Sequence, residues 1–566
     1  MKIRKILRNG LGFIVLLAFC SSACKNSVAS PVDASGYEPP IVIETTVVNE
    51  EKEVLAATEL PTPTILNSIT VSGVVPDKMQ DLLSSGNIPM SSQESTSIKL
   101  EQINFELLSE DSINTIEWLF VLAAPFPTVS DNISFGDLDQ LWGSDAAPDS
   151  PFQKLIIDPI TFEIFTNQWG APGKRVKIVS SDILLETAWN SEDAICILPF
   201  EHLSPKWKVI KLDSVSPFDP DFDLSNYPLV IRYGLSYDGN ENNFLIGSEL
   251  AAQLQELPES NYSSEKVTSV LLTGVTALVR ETAARIERHG VEYPPSDIGF
   301  LFDQVDLLHI SNEVPFYSAC PPADPPRKGG RFCSSPEYID LFLNIGVDVV
   351  ELTGNHLLDY GQEAFLETLE IYTKNGIGYY GGGVNQDSAV EALIVEVNGN
   401  LLAFIGCNVP GPASVFADEN SPGAAKCDLD QLVEKVQDLD EQEYNVIVTF
   451  QHYESCQLAP MSGQRIDFDR IAEAGAVIVS GSQAHCPQGM KFVGESFVHY
   501  GLGNLFFDQM YPDYQNEFLD EHIFYEGKYL GVVLHTAVLE DYAKPRMMVD
   551  EERLEFLEKV FGASSW

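Results

Sequence analysis

Apolar residues in this chain gather in short runs, rich in β-branched side chains, that close on Gly, Pro or a polar loop. Such runs read as buried strands rather than helices. In the first half they fall at 116–124, 176–179, 194–198, 208–212 and 227–231, with helical patterns at 137–142 and 183–189 between them. Alternating strands and helices predict an α/β unit over residues 66–257. The polar segment 255–266, which holds Pro258, marks a boundary. The pattern resumes with strands at 267–272, 306–311, 347–352, 401–406, 446–450, 476–479 and 497–500. Helices are expected from 279 to 288, with apolar positions at Val279, Ala283 and Ile286, and over 363–375. This gives a second α/β unit over 267–549, followed by a charged amphipathic helix within 550–566 packed on its outside.

The chain has 566 residues, enough for two or three domains, and a net charge of −49. That charge excludes nucleic acid as a partner, because the electrostatic attraction that drives such binding would be repulsive. Residues 1–24 form a separate device. Lys2, Arg4, Lys5 and Arg8 precede an apolar stretch, 11–19, too short to span a bilayer comfortably, and Ser21-Ser22-Ala23-Cys24 follows. The small residues before Cys24 resemble a bacterial lipobox, with Ser21 where Leu is usual. The expectation is a lipoprotein signal with Cys24 lipidated after cleavage, ordinary secretion and an uncleaved anchor being the alternatives. Each puts the mature chain outside the cytoplasm. Residues 25–65, rich in Ser, Pro, Glu, Thr and Val without a sustained period, read as a flexible stalk.

That compartment allows disulfides. Of nine cysteines, Cys20 and Cys24 belong to the leader and seven remain. Cys320 and Cys333 flank one Pro/Gly-rich loop and Cys407 and Cys427 another, so local pairing is expected. Cys456 and Cys486 each follow shortly after a candidate functional His, and a bridge there would tie two site loops together. Cys196, inside AICIL, reads as a buried free thiol.

The candidate chemistry sits at strand ends. Within about four residues of a strand's end, a ligand-type side chain appears at Glu313, at Asn355/His356, at His452/Glu454 and at His485. If the strands run parallel in one sheet, these loops emerge on one edge, where open α/β sheets bind ligands. A carboxylate, an amide and three imidazoles suit divalent Zn, Mn or Fe. His202, His289, His309, His499, His522 and His535 read as structural hydrogen-bonders, and Trp142, Trp189 and Trp207 as core.

The motifs GNHLLDYG (354–361), SNEVP (311–315), QHYES (451–455), GSQAH (481–485) and GLGNLFF (501–507) resemble those of the CapA family of poly-γ-glutamate and capsule synthesis proteins. That family is related to the calcineurin-like metallophosphoesterases. The likeness covers about half the chain and implies a calcineurin-like layered α/β domain at 267–549. The unit at 66–257 more diffusely resembles the type II periplasmic-binding-protein fold of phosphate- and molybdate-type solute-binding proteins.

The resemblance implies metal binding by Glu313, Asn355, His452 and His485. It implies an acid role for His356, oriented by Asp359, although Asp359 could instead cap the following helix. Departures limit it. The family Asp after the first strand is Val275 here, the penultimate His of Gly-His-His-Pro-His is Gln483, and Ser482 and Ser311 replace a His and an Asn. A two-metal centre would lose about two ligands, leaving one divalent ion or none. The functional expectation is a surface lipoprotein in synthesis, export or anchoring of capsule or poly-γ-glutamate. Its partners would be the polymer or its synthesis machinery, and the membrane through the lipid. The alternative is a non-catalytic receptor or scaffold. Arg327, Lys328 and Arg331 could contact a polyanion.

Overall fold

A computed structural model describes residues 64–566 apart from 92–97, 104–114, 147, 238–243 and 326–329. The leader, Cys24, nearly all of the stalk and the Arg327-Lys328 pair lie outside the described residues. The chain divides into Met1–Thr64 and a compact unit, Ile65–Trp566, which holds both α/β parts.

The first part of this larger unit is built on one sheet. The strands are β1 (Ile69–Ser72), β2 (Ile98–Ile103), β3 (Thr115–Pro125), β4 (Lys154–Ile157), β5 (Val176–Ile178), β6 (Ala194–Pro199), β7 (Trp207–Val209) and β8 (Val230–Tyr237). They pair in the order β1-β2-β8-β3-β6-β4-β5, with β7 also on β3. Helices α1 (Phe135–Gly143), α2 (Pro159–Trp169) and α3 (Leu184–Trp189) pack on it. Asp158 explains where α2 starts: its carboxylate accepts from the N–H groups of Ile160 and Thr161, and Pro159 needs no donor partner at the first position. Trp142 and Trp207 are buried, as expected of core residues, and Trp189 packs edge-on against Phe492. Cys196 is a buried free thiol whose pKa burial pushes up.

The second part is a four-layer sandwich. One sheet holds β9 (Val267–Thr273), β10 (Val275–Thr276), β11 (Leu307–Asn312), β12 (Val349–Glu351) and β13 (Gly378–Tyr380), all parallel. The other holds β14 (Leu393–Val397), β15 (Asn400–Asn408), β16 (Asn445–Gln451), β17 (Ile478–Gly481), β18 (Met490–Val493) and β19 (Ser496–His499), in the order β14-β15-β16-β17-β19-β18. The first sheet is completed by three antiparallel strands, β20 (Asn516–Tyr525), β21 (Lys528–Glu540) and β22 (Lys544–Met547), and β20 pairs with β9 from Val267↔Tyr525 onward.

Side-chain alternation explains the layers. Val270, Leu272, Leu307 and Val349 meet Leu402, Phe404, Ile447 and Phe497 between the sheets. Leu271, Leu308, Ile310 and Val350 face the opposite way, toward α4 (Arg280–His289), α5 (Ile339–Ile345) and α6 (Gln362–Asn375). Ala403, Val446, Val448 and Val479 face α7 (Leu429–Asp440) and α8 (Ser462–Glu473) on the far side. The strands are apolar on both faces because both faces are covered. The last helix, α9 (Asp550–Ala563), is amphipathic. It leaves Glu551, Glu555, Glu558 and Lys559 exposed, while Phe556, Leu557, Val560 and Phe561 join the core between the two sheets.

The two parts are packed against each other. Phe126 stacks edge-on against Phe492 and Phe497 at 5.3 Å, and Arg553 of α9 pairs with Asp131 at 2.9 Å. The three disulfides are Cys320–Cys333, Cys407–Cys427 and Cys456–Cys486, the pairings expected from the loops.

Candidate functional site

Because β11 and β12 run parallel in one sheet and β16 and β17 in the other, the loops after these four strands leave the sandwich at one edge. These are the loops that carry Glu313, Asn355/His356, His452 and His485. Their close approach has a steric cause. A Cβ on Gly354 would stand 2.7 Å from the Glu313 Cα, so only glycine lets the β12 loop lie against the β11 loop.

At the centre are Glu313 and His485, both nearly fully buried. His485 Nε2 lies 3.8 Å from Glu313 Oε1, and that oxygen has no hydrogen-bond partner. The other ring nitrogen, Nδ1, is 3.0 Å from Asn504 Oδ1. The Asn504 amide nitrogen already donates to the His485 and Tyr514 carbonyls and to Gln509, so its oxygen must accept and His485 Nδ1 must carry the proton. In the neutral ring Nε2 then holds the lone pair. His485 is held in the left-handed region, φ 56°, which fixes this orientation at some cost in backbone strain. Gln483 stands alongside, its Nε2 3.5 Å from His485 Nε2 and its Oε1 buried without a partner.

His356 and Asp359 form a second pair, Nδ1 to Oδ2 at 2.7 Å. Burial depresses the His356 pKa, but the hydrogen bond to Asp359 and the charges of Glu313 and Asp359 outweigh it and raise the value above that of a free imidazole. Asp359 does not cap α6, whose N-cap is Gly361 without a side-chain bond. Its carboxylate instead also accepts from the Phe332 N–H at 2.8 Å.

The remaining expected ligands are placed differently. His452 directs Nε2 to Asp467 Oδ2 of α8 at 3.0 Å and leaves Nδ1 buried and unpartnered. Asn355 Oδ1 receives Gln451 Nε2 at 3.4 Å. Among the described residues no three His, Cys, Asp or Glu side chains form a group able to hold a metal ion. Val275 is apolar in its surroundings too, packed with Ala277, Val279, Val314, Phe332 and Phe507. The donor set therefore does not fit two metal ions. Glu313 Oε1 and Gln483 Oε1 are buried without partners beside the lone pair of His485, one carboxylate, one amide and one imidazole that suit at most one ion; His452, turned to Asp467, does not join them.

Several residues of the site were not expected from the sequence. Glu351, at the end of β12, is 1% exposed and accepts from Thr353 at 2.5 Å and Ser482 at 3.4 Å. Burial raises its pKa, against hydrogen bonds from Thr353, Ser311, Thr449 and Ser482 that lower it. One carboxyl thus joins residues of β11, β16 and the loops after β12 and β17. A lone charge inside the apolar run VVEL was the signal for it. Arg280, at φ 48°, makes a two-point ion pair with Asp508, whose Oδ2 also accepts from the Glu281 N–H at 3.0 Å. Of the six histidines expected to be structural, three pair within the core, His309 with Tyr380 at 2.8 Å, His522 with Tyr529 at 2.9 Å and His499 with Asp520 at 2.5 Å; half-buried His535 pairs with Glu521 at 2.7 Å, and His202 and His289 are exposed.

Comparison with known proteins agrees with the motifs. Residues 269–509 match the family described as "Bacterial capsule synthesis protein PGA_cap". The chain is similar to a "Capsule biosynthesis protein CapA" of Bacillus anthracis, 24% identical over 260 residues, covering 44% of this chain and 62% of that protein's own length. It is also similar to a "PGA biosynthesis protein CapA" of Bacillus subtilis, 22% identical, covering 45% of this chain and 67% of that protein. Two solved structures are distantly similar. A phosphatase from Mycoplasma pneumoniae has TM-score 0.33 and 11% identity, covering 48% of this chain and 94% of its own. An ABC-type phosphate transport receptor from Vibrio cholerae has TM-score 0.26 and 11% identity, covering 33% of this chain and 92% of its own.

Proposed function

We propose that this protein works in the synthesis, export or anchoring of a capsule polymer such as poly-γ-glutamate. In this reading it acts outside the cytoplasm, held to the membrane through a lipid on Cys24. The 269–509 match and the two CapA relatives support the process. The three disulfides support an oxidising compartment. Among the described residues no helix is long and apolar enough to cross a membrane. Residues 66–257 and 267–549 are proposed as separate domains that have docked together.

The strand-edge site is proposed to hydrolyse or transfer a bond of the polymer or its precursor. The observation that carries this is the unpartnered Glu313 Oε1 facing His485 Nε2, with His356 in the same field. Glu313 and His485, with Gln483 completing the set, would hold one divalent Mn, Fe or Zn. Such an ion would polarise the oxygen at the scissile centre and favour ionisation of a bound water. His356, its proton on Nδ1 directed at Asp359, offers Nε2–H to a leaving group. Asp359 fixes the ring's orientation and favours its charged form. Asn504 does the same for the His485 tautomer.

The purified protein, treated with chelator and then given manganese, is assayed for cleavage or transfer of capsule polymer and of p-nitrophenyl phosphate esters. Activity with manganese that disappears in Glu313→Gln and His356→Ala supports the reading. Equal thermal stability with and without each metal, and no turnover of any substrate, would leave the site as a binding module on a scaffold.

A further inference from the structure

The rim of the site holds an arginine whose surroundings leave it unused. Arg331 lies on the loop closed by Cys320–Cys333, on the side of His356 and Asp359. Its Nε donates to the Asp359 carbonyl, and its guanidinium lies over the Tyr360 ring, 4.9 Å from the centroid. Those two contacts, with the Phe332 N–H bond to the Asp359 carboxylate, fix the side chain while leaving it exposed. Among the described residues it pairs with no carboxylate, in a chain with 83 Asp and Glu against 34 Lys and Arg. Arg280 approaches from the other side. It lies over Phe332 and Phe507, 5.1 Å from each centroid, but its charge is met by Asp508. A cleft of about 40 Å³ between the two is lined by Arg280, Arg331, Phe332, Tyr360 and one carboxylate, Asp324. That is room for the head of one small oxyanion.

We infer that Arg331 and this cleft form a subsite for an oxyanion, a carboxylate or a phosphate, borne by the substrate next to the bond that His356 serves. The inference rests on the function proposed above and names its substrate class: an anionic polymer or precursor, gripped one repeat away from the reacting group. A planar fork of donors, held by stacking and one backbone acceptor, matches a two-oxygen anion. The Asp359 carbonyl takes the Arg331 Nε–H and Phe332 packs on the His356 ring at 4.9 Å, so an anion bound to Arg331 lies on the side of the acid. The chain's overall negative charge would repel such a polymer at a distance, and a local, preorganised arginine is what makes short-range capture specific.

The test is equilibrium binding of two labelled probes to the full protein, a short γ-linked glutamate oligomer and a short glycerol phosphate oligomer, at two salt concentrations. One probe should bind, and Arg331→Gln should weaken it about tenfold while reducing the salt dependence. Arg331→Lys should recover only part, because a point charge lacks the fork. Which probe binds identifies carboxylate or phosphate as the anion. Undiminished binding in Arg331→Gln, full recovery by Arg331→Lys, or no binding of either probe overturns the subsite. His356→Ala keeps the two proposals apart: lost turnover with probe binding retained supports the subsite and assigns His356 to chemistry. Lost probe binding in that variant overturns a subsite centred on Arg331.

Discussion

His485 presents Nε2 to Glu313 Oε1, 3.8 Å away, because Asn504 holds its other nitrogen at 3.0 Å. The two acceptors face each other across a gap that a proton or a cation would fill, and the asparagine decides which ring atom takes part. Asn504→Leu should therefore release the tautomer. We expect manganese-dependent stabilisation and turnover to fall at least tenfold, and folding stability to drop by about 1–3 kcal/mol as buried polar partners are stranded. Thermal melts with and without manganese, together with imidazole NMR, check both.

Asp359→Ala should lower kcat by one to two orders of magnitude, about 1.4–2.8 kcal/mol of barrier, with KM nearly unchanged, because the carboxylate orients His356 instead of binding substrate. An equal rise in KM would mean that the loop itself has moved.

Val275→Asp restores the carboxylate expected of the family but places it in an apolar cluster with Val279, Phe332 and Phe507. In chelator it should cost roughly 2–4 kcal/mol, as an unpaired buried charge does. Added manganese should recover part of that loss in this variant more than in the parent, read as a rise in Tm.

The Cys456–Cys486 bridge closes 30 residues and ties the His452 loop to the His485 loop. Replacing both with Ala should remove about 3.5 kcal/mol by loop-closure entropy. It should also reduce turnover by more than removal of Cys407–Cys427, which spans 20 residues and joins neither histidine loop. Parallel melts and assays of the two double variants decide this.

His309 and His522 set an acid limit. Burial comes first among the causes that hold His309 down to about 3 and His522 to about 4. The unfolded chain binds these protons near pH 6.5 and the folded chain does not. Stability is thus unaffected above that pH and falls as pH drops through the window from 6.5 toward 4 and 3. Each group contributes on the order of 3–5 kcal/mol when the window is fully crossed. Tm measured from about pH 7 to 4 should fall steeply, and His309→Asn should flatten the slope.

The sandwich was legible because its strands are short, β-branched and stopped by polar loops, and because side-chain types at the strand ends repeat. GNHLLDYG gave the position of His356 and Asp359, and the loop cysteines gave all three bridges. What did not show in the sequence depends on packing between distant segments. Glu351 looks like an interruption of a strand until four hydroxyls from separate segments surround it. His452 turns to Asp467 because α8 packs beneath it, which no local spacing reveals. The C-terminal helix carries enough charge to read as a surface element, yet its four buried apolar residues fill the seam between the sheets.

That helix bears on how the protein is made. β9, the first strand of the sandwich, pairs with β20, more than two hundred residues later, and the seam closes only when α9 arrives. Arg553 then bridges back to Asp131 in the opening part. The inter-sheet core cannot close piecemeal behind a moving ribosome or a translocation pore; it waits for α9. A chain threaded outward in extended form would stay pliable until α9 had crossed, and would then lock in one late cooperative step.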